Sequence, residues 1–152
     1  MATLRQAGYE VEHIKFAPDY IEEICKHDIQ ITPIAVGTGT KGKVLDALAN
    51  GLLVIGTSYA MENIAVENGV SCIVYQKPEE VIKILMDIVK NDNVNVNDND
   101  NEMPSYENSN RRKYEEIAAE GQRQVLKHHD RGLIAKQLFD LQHTDLTDLT
   151  DR

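Results

Sequence analysis

The residues best suited to chemistry form a glycine-rich segment with two lysines, GTGTKGK, at Gly37–Lys43. A largely apolar run rich in β-branched residues, Ile29–Val36, precedes it, and apolar residues at helical spacing follow it in Val44–Ala49. This order predicts a strand, a tight turn and a helix. Glycines let the backbone approach a ligand, and the free N–H groups and dipole at a helix start favour an anion. With Lys41 and Lys43 beside it, the segment predicts a phosphate-binding loop.

A second strand is predicted directly after this helix. Asn50-Gly51 ends the helix, because glycine accepts the left-handed conformation that follows a helix end. Leu52–Ile55 is then apolar on both faces, which is typical of a parallel strand covered on both sides. Strand, glycine-rich turn, helix and strand together make a βαβ unit.

Two established phosphate sites match the loop only in part. Gly37-x-x-x-x-Gly42-Lys43 fits most of the P-loop pattern, but Val44 stands where a Ser or Thr hydroxyl would bind Mg²⁺. Neither Leu52–Ile55 nor Cys72–Tyr75 ends in the Asp that holds the metal from a second strand. The pattern Gly-x-Gly-x-x-Gly also fits the dinucleotide fingerprint, but the next strand ends in Gly56-Thr57-Ser58 rather than in an acid.

A third possibility uses a carboxylate on the helix itself. Asp46 lies three residues beyond Lys43 and shares its face. Helical side chains lean toward the N-terminus, so the carboxylate can reach back toward the loop. There it would accept hydrogen bonds from vicinal hydroxyls such as those of a ribose. The remaining alternative is that the glycines only form a tight turn and that Asp46 is solvated.

The segment GTGTKGKVLDALANGLLVIGT, Gly37–Thr57, resembles the donor-site segment of retaining GT-B glycosyltransferases of family 4, the "group 1" family. The usual segment is a Glu, seven residues, a second Glu, then Ala-Met-Ala-x-Gly-x-Pro-Val-Ile-x-Thr. The second Glu falls on Asp46, which is one methylene shorter, and the first falls on Thr38, which has no charge. One branch of the family has a G-T-G-x-K-G-K-like loop, and this chain resembles that branch.

The resemblance implies both a fold and a ligand site. The fold would be α/β, a Rossmann-like three-layer α/β/α arrangement with a short parallel sheet, followed by C-terminal helices. The ligand would be a UDP- or GDP-sugar, with its ribose on Asp46, its diphosphate on Gly39–Lys43 and its sugar near Thr38. The implied nucleotide-sugar site is therefore Thr38, Gly39, Thr40, Lys41, Gly42, Lys43 and Asp46. No cofactor and no metal are implied, and the catalytic residues stay unassigned.

The resemblance covers about residues 14–142, which is less than one complete GT-B C-terminal domain. On this resemblance, we expect the given sequence to lack the first two strands of that domain, the Arg and Lys that neutralise the leaving diphosphate, and the N-terminal acceptor domain. We therefore expect the donor-binding portion of an enzyme of polysaccharide biosynthesis, which moves a hexosyl group to a glycan or lipid acceptor. It would need the missing domain or a partner subunit and would be inactive alone. The alternative is a non-catalytic interaction module, or a degenerate remnant whose loop binds nothing.

Further elements follow from local patterns along the chain. We predict a domain over residues 1–142, with a flexible loop at 91–110 and a polar tail at 143–152. The additional predicted strands are Glu10–Phe16 and Ser71–Tyr75. The additional predicted helices are Pro18–Lys26, a short one ending at Asn68-Gly69, one from Lys77-Pro78, and Arg111–Gln142 with a break at His128–Gly132.

The charge and the apolar content of the chain limit the classes of partner and the location that we expect. The net charge is −9 over 152 residues and neither half is basic, which argues against a nucleic-acid partner and an anionic membrane surface. No apolar run approaches the roughly 18 residues of a transmembrane segment, and no secretory signal is visible, so we expect a cytoplasmic protein. Cys25 and Cys72 are predicted to be buried free thiols. His128 and His129 are predicted to lie in an exposed turn rather than at a metal site.

Overall fold

A short parallel sheet with helices on both faces forms the part of the chain that the computed structural model describes, which is residues 5–8, 10–89, 109–136 and 139. In chain order the elements are α1 (Tyr20–Ile24), β1 (Ile29–Thr32), α2 (Gly42–Ala49), β2 (Leu53–Gly56), β3 (Ile73–Val74), α3 (Pro78–Val89) and α4 (Ser109–His128). The expectation of a small α/β fold with a short parallel sheet and C-terminal helices is confirmed.

The three strands are parallel and lie side by side in chain order, β1-β2-β3. The β1–β2 register runs from Ile29 opposite Leu53 to Thr32 opposite Gly56. Every residue of β2 is buried, as its apolar character on both faces predicts. Because the strands are parallel, their carboxyl ends lie at one edge of the sheet, and the segments that follow β1 and β2 meet there.

Successive residues of β2 point into two different apolar clusters. Val54 joins the cluster formed with α1, α2 and one end of α4, whose members include Ile24, Val44, Leu48 and Val125. Leu53 and Ile55 join the cluster formed with α3 and the other end of α4, whose members include Val81, Tyr114 and Ile117. Fully burying such a side chain contributes about 1.5–3 kcal/mol. The first of these clusters fixes α2, and with it the loop before α2, against the sheet.

The predicted strand at Glu10–Phe16 is wrong. This stretch is irregular and pairs with no strand among the described residues. The backbone carbonyl of Val11 accepts two hydrogen bonds from the Arg5 guanidinium, at 2.9 and 2.7 Å, in place of a ladder bond. Phe16 is 81% exposed, so the apolar residues of the stretch have no core to enter. Partial alternation of apolar and polar residues is therefore not enough to form a strand here, because a strand also needs a neighbouring strand that pairs with its backbone N–H and C=O groups.

The predicted short helix ending at Asn68-Gly69 is also absent. Turns and bends occupy this region, and Asn63 takes a positive φ of 60° that interrupts a right-handed helix. Side chains satisfy part of its backbone instead, since Ser71 Oγ accepts a 2.7 Å hydrogen bond from the Glu67 N–H. Strand β1 is shorter than predicted because Pro33 follows it and has no N–H for the ladder.

The break at His128–Gly132 is confirmed, but His129 is not a simple exposed turn residue. Helix α4 ends at His128, and a helical stretch resumes over residues 131–136. Asp130 caps that stretch by accepting a 2.9 Å hydrogen bond from the Leu133 N–H. His129 is half-buried, and its Nε2 accepts a 3.0 Å hydrogen bond from the Ala65 N–H. This contact ties the end of α4 to the irregular segment after β2.

Several predictions on the second half of the chain fall outside the described residues. The predicted loop at 91–110 lies there up to residue 108, and α4 begins at Ser109. The polar tail at 143–152 and the last part of the predicted C-terminal helix also lie outside. Within the described ranges, no helix combines the length and the apolar character needed to cross a bilayer.

The two cysteines differ in environment. Both are free thiols, as predicted, but only Cys72 is buried, and the expectation that Cys25 is buried is wrong. Burial raises the pKa of the Cys72 thiol to about 11. Cys25 lies just after α1, where its Sγ is 3.5 Å from Asn50 Oδ1.

We expect a thiol reagent at pH 8 to modify one cysteine per native chain rapidly and the second only after unfolding. A thiol with a pKa of about 11 is ionised in about one molecule in a thousand at that pH, and Cys72 is also inaccessible. Because the folded-state pKa is raised, this group also lowers stability as the pH rises from about 9 toward 11. Timed labelling with mass spectrometry checks the assignment, and Cys25→Ser should abolish the fast phase. Fast labelling of Cys72 would contradict the described burial.

Candidate functional site

The glycine-rich loop follows β1, and a turn of residues 57–63 follows β2, at the same edge of the sheet. Thr57 joins the two segments. Its N–H donates to the Thr32 carbonyl at 3.4 Å, and its hydroxyl donates to the Ile34 carbonyl. Gly56 allows this close approach, because a Cβ there would lie 2.9 Å from Met61 Cε and 3.3 Å from the Thr32 carbonyl oxygen. The loop and the turn are therefore held side by side.

The loop backbone requires glycine at two positions. Gly37 has a φ of +141° and Gly39 a φ of +79°, which L side chains rarely adopt. Lys41 occupies the N-cap position of α2 without a side-chain cap, and its carbonyl accepts from the N–H groups of both Val44 and Leu45. Among the described residues, the N–H groups of Gly42 and Lys43 have no backbone partner. These two amides are the donors that the helix start offers to a ligand.

Lys41 is folded back onto the loop that contains it. Its Nζ donates to the Gly39 carbonyl at 2.5 Å and to the Gly37 carbonyl at 3.3 Å. It also forms an ion pair with Glu62 Oε2 at 3.5 Å, and its side chain is only 12% exposed. An ammonium group has three N–H donors, and three acceptors inside the protein surround this one. Lys41 therefore holds the loop in shape, and its three donors are directed at protein acceptors rather than at the phosphate position predicted from the sequence.

Lys43 has the opposite environment. It is exposed, and its side chain has no hydrogen-bond or ion-pair partner among the described residues. Its backbone carbonyl accepts a 3.2 Å hydrogen bond from Gln30 Nε2, which fixes the first turn of α2 against β1. Of the two loop lysines, Lys43 is the one whose charge faces solvent at the start of the helix.

Asp46 is half-buried one turn into α2. Its carboxylate makes no hydrogen bond or ion pair with any residue that the structure describes. Its charge acts on Tyr20, the first residue of α1. Burial, and then the negative charge of Asp46, raise the pKa of the Tyr20 phenol. Asp46 is thus a half-buried carboxylate acceptor one turn into the helix that follows the loop, and a carboxylate suits a ligand with vicinal hydroxyls.

Comparisons with protein-family models, with curated proteins and with solved structures found no match to this chain.

The two remaining predicted site residues, Thr38 and Thr40, are exposed, and neither side chain has a hydrogen-bond partner in the described ranges. All seven predicted residues therefore lie on one loop and the first turns of α2. Glu62 also belongs to this region through its ion pair with Lys41, and Tyr20 is linked to it by the charge of Asp46, although neither residue is part of a sequence motif.

A cleft of about 550 Å³ lies at the other edge of the sheet, where β1 and β2 begin. Its lining includes Cys25, Asp28, Gly51, Tyr114 and Gln122, and none of the seven predicted residues contributes to it. Gln122 Nε2 donates a 2.9 Å hydrogen bond to the Ala49 carbonyl, so the wall of the cleft that α4 provides is fixed to the end of α2. The glycine-rich loop, in contrast, lies on an open surface.

Proposed function

We propose that the loop and Asp46 bind the nucleotide diphosphate part of a sugar donor, as in the GT-B glycosyltransferases that the chain resembles. The observation that supports this best is the start of α2. Within the described part of the chain, the Gly42 and Lys43 amides have no backbone partner and the half-buried Asp46 carboxylate has no hydrogen bond or ion pair. They lie at the same helix start as the solvent-facing Lys43 side chain. Amides at a helix start favour phosphate oxygens, and a carboxylate favours ribose hydroxyls.

In this proposal each group has a separate contact with the ligand. The diphosphate accepts hydrogen bonds from the Gly42 and Lys43 amides, and the Lys43 ammonium adds charge attraction. The ribose hydroxyls donate to Asp46, whose negative charge also acts on the Tyr20 phenol. Thr38 lies at the sugar side of the loop. Val44 supplies no oxygen for Mg²⁺, so binding proceeds without a metal.

Transfer of a hexosyl group to a glycan or lipid acceptor needs more than this loop. Donor and acceptor must be held in one geometry, and positive charge must stabilise the leaving diphosphate. In our proposal, a Rossmann-like donor half binds the nucleotide on its open edge. An acceptor domain or a partner subunit then covers that edge and supplies the remaining charge.

We expect the chain to bind UDP or GDP weakly and equally well with and without EDTA. Isothermal titration calorimetry measures this directly, and uridine and guanosine serve as controls because they lack the phosphates that the loop would hold. The matched variant Lys43→Gln should weaken binding, since it removes the solvent-facing cation. Tight binding seen only with Mg²⁺ and ATP or GTP would instead favour a P-loop protein.

A non-catalytic interaction module is the second candidate, and one feature of α3 favours it. Ile82, Met86 and Val89 are exposed at i, i+4 and i+7 spacing, so they form an apolar stripe on the outer face of that helix. Such a stripe is suited to contact with another protein surface. Absence of any binding of UDP and GDP at millimolar concentration would favour this candidate over the donor-binding one.

A further inference from the structure

Glu62 lies outside the predicted site but contacts it. It belongs to the turn after β2, and the parallel pairing of β1 with β2 brings that turn beside the loop. Its carboxylate is 3.5 Å from the Lys41 ammonium, and its side chain is 44% exposed. The partner lysine also has two loop carbonyls to hold it, so the ion pair is not its only anchor.

This pair changes the charge that an incoming phosphate meets. The loop contains two cations, Lys41 and Lys43, but Glu62 compensates the first, and Asp46 follows the second by three residues in α2. If the Glu62 carboxylate were neutral, the Lys41 side chain would remain bonded to Gly37 and Gly39. Its positive charge would then be uncompensated, and the potential at the start of α2 would become more favourable for an anion.

We infer that Glu62 is a built-in anion that lowers the affinity of the loop for a diphosphate ligand. It determines affinity through Lys41 and does not itself touch the ligand. The inference rests on the proposed function, since it concerns how tightly the same loop holds phosphate. A moderate affinity would allow the nucleotide diphosphate to leave after transfer.

The test compares Glu62→Gln with Glu115→Gln by calorimetry with UDP and with GDP. Glu115 is a matched control, because it too forms an exposed ion pair, with Arg111 at 3.1 Å, and it lines the cleft at the opposite edge of the sheet. We expect Glu62→Gln to bind about two- to fivefold more tightly than the parent chain, the range of a partly exposed ion pair. Glu115→Gln should bind as the parent does. The difference should shrink at 1 M salt, which screens surface charge.

Two further variants separate charge from structure. Glu62→Asp keeps the charge and should keep the parent affinity, whereas Glu62→Ala should bind more tightly, like Glu62→Gln. If the parent binds while Glu62→Gln binds equally or more weakly, the inference is wrong and the proposed function stands. If neither the parent nor Glu62→Gln binds UDP or GDP at millimolar concentration, the proposed function falls and the inference falls with it.

Discussion

Asp46→Asn is expected to weaken UDP or GDP binding by about one to two decades with little change in melting temperature. The substitution keeps the shape of the side chain but replaces a charged hydrogen-bond acceptor by a neutral amide, which costs about 1.5–3 kcal/mol of binding free energy. The fold does not depend on the carboxylate, because it has no hydrogen bond or ion pair with the described residues. Calorimetry and thermal denaturation of the same preparation measure both quantities.

Asp46→Glu is the matched variant, since it gives the side chain the longer reach of the Glu found in the glycosyltransferases that the chain resembles, and it should bind at least as well. Normal binding by Asp46→Asn together with a much lower melting temperature would make Asp46 a structural partner of the loop. If neither binding nor melting changed, the resemblance to the glycosyltransferases would concern the fold alone.

Gly121→Ala is expected to lower the free energy of unfolding by about 3 kcal/mol. At this glycine, helix α4 passes close to the segment that leads into β3. An added Cβ would lie 2.5 Å from the Ser71 carbonyl oxygen and 2.8 Å from Leu48 Cδ2. The oxygen belongs to the backbone, so relief requires α4 to move away from both apolar clusters that it covers. A loss of this size lowers the melting temperature of a chain of this length by about 6–12 °C.

Gly42→Ala is the control for this substitution, because no atom of the described residues lies within 4 Å of the Cβ that it would add. It also sits in a helix, where alanine is favoured over glycine by up to about 1 kcal/mol, so its effect should be neutral or stabilising. Urea denaturation of both variants measures the two free energies of unfolding to be compared. Equal stabilities would mean that α4 does not pack closely against Ser71.

The elements that the sequence predicts well are those with strong local signals. Strand β2 is buried throughout, as its continuous apolar run indicates. Helix α2 ends before Asn50, and Gly51 takes a φ of +81°, as the Asn-Gly pair predicts. Helix α3 begins at Pro78 with Glu79 and Glu80 in its first turn, in agreement with the predicted start. In each case the residues that determine the element lie within it or directly beside it in the sequence.

The predictions that fail depend on residues far along the chain. The alternation at Glu10–Phe16 describes a strand that finds no pairing neighbour, and the Arg5 side chain satisfies one of its carbonyls instead. Ala65 donates to His129 rather than into a helix, because α4 returns to this segment. Local periodicity contains no information about either partner.

The amino-acid sequence by itself determines the loop, since glycines at 37 and 39 permit its positive φ values and the helical pattern after Lys41 leaves free amides at its start. Only the tertiary structure decides what the charged side chains do. Two lysines two positions apart look equivalent in sequence, yet Lys41 turns inward to Glu62 while Lys43 faces solvent. The reason is physical: parallel pairing of β1 with β2 brings the turn that holds Glu62 to one side of the loop only.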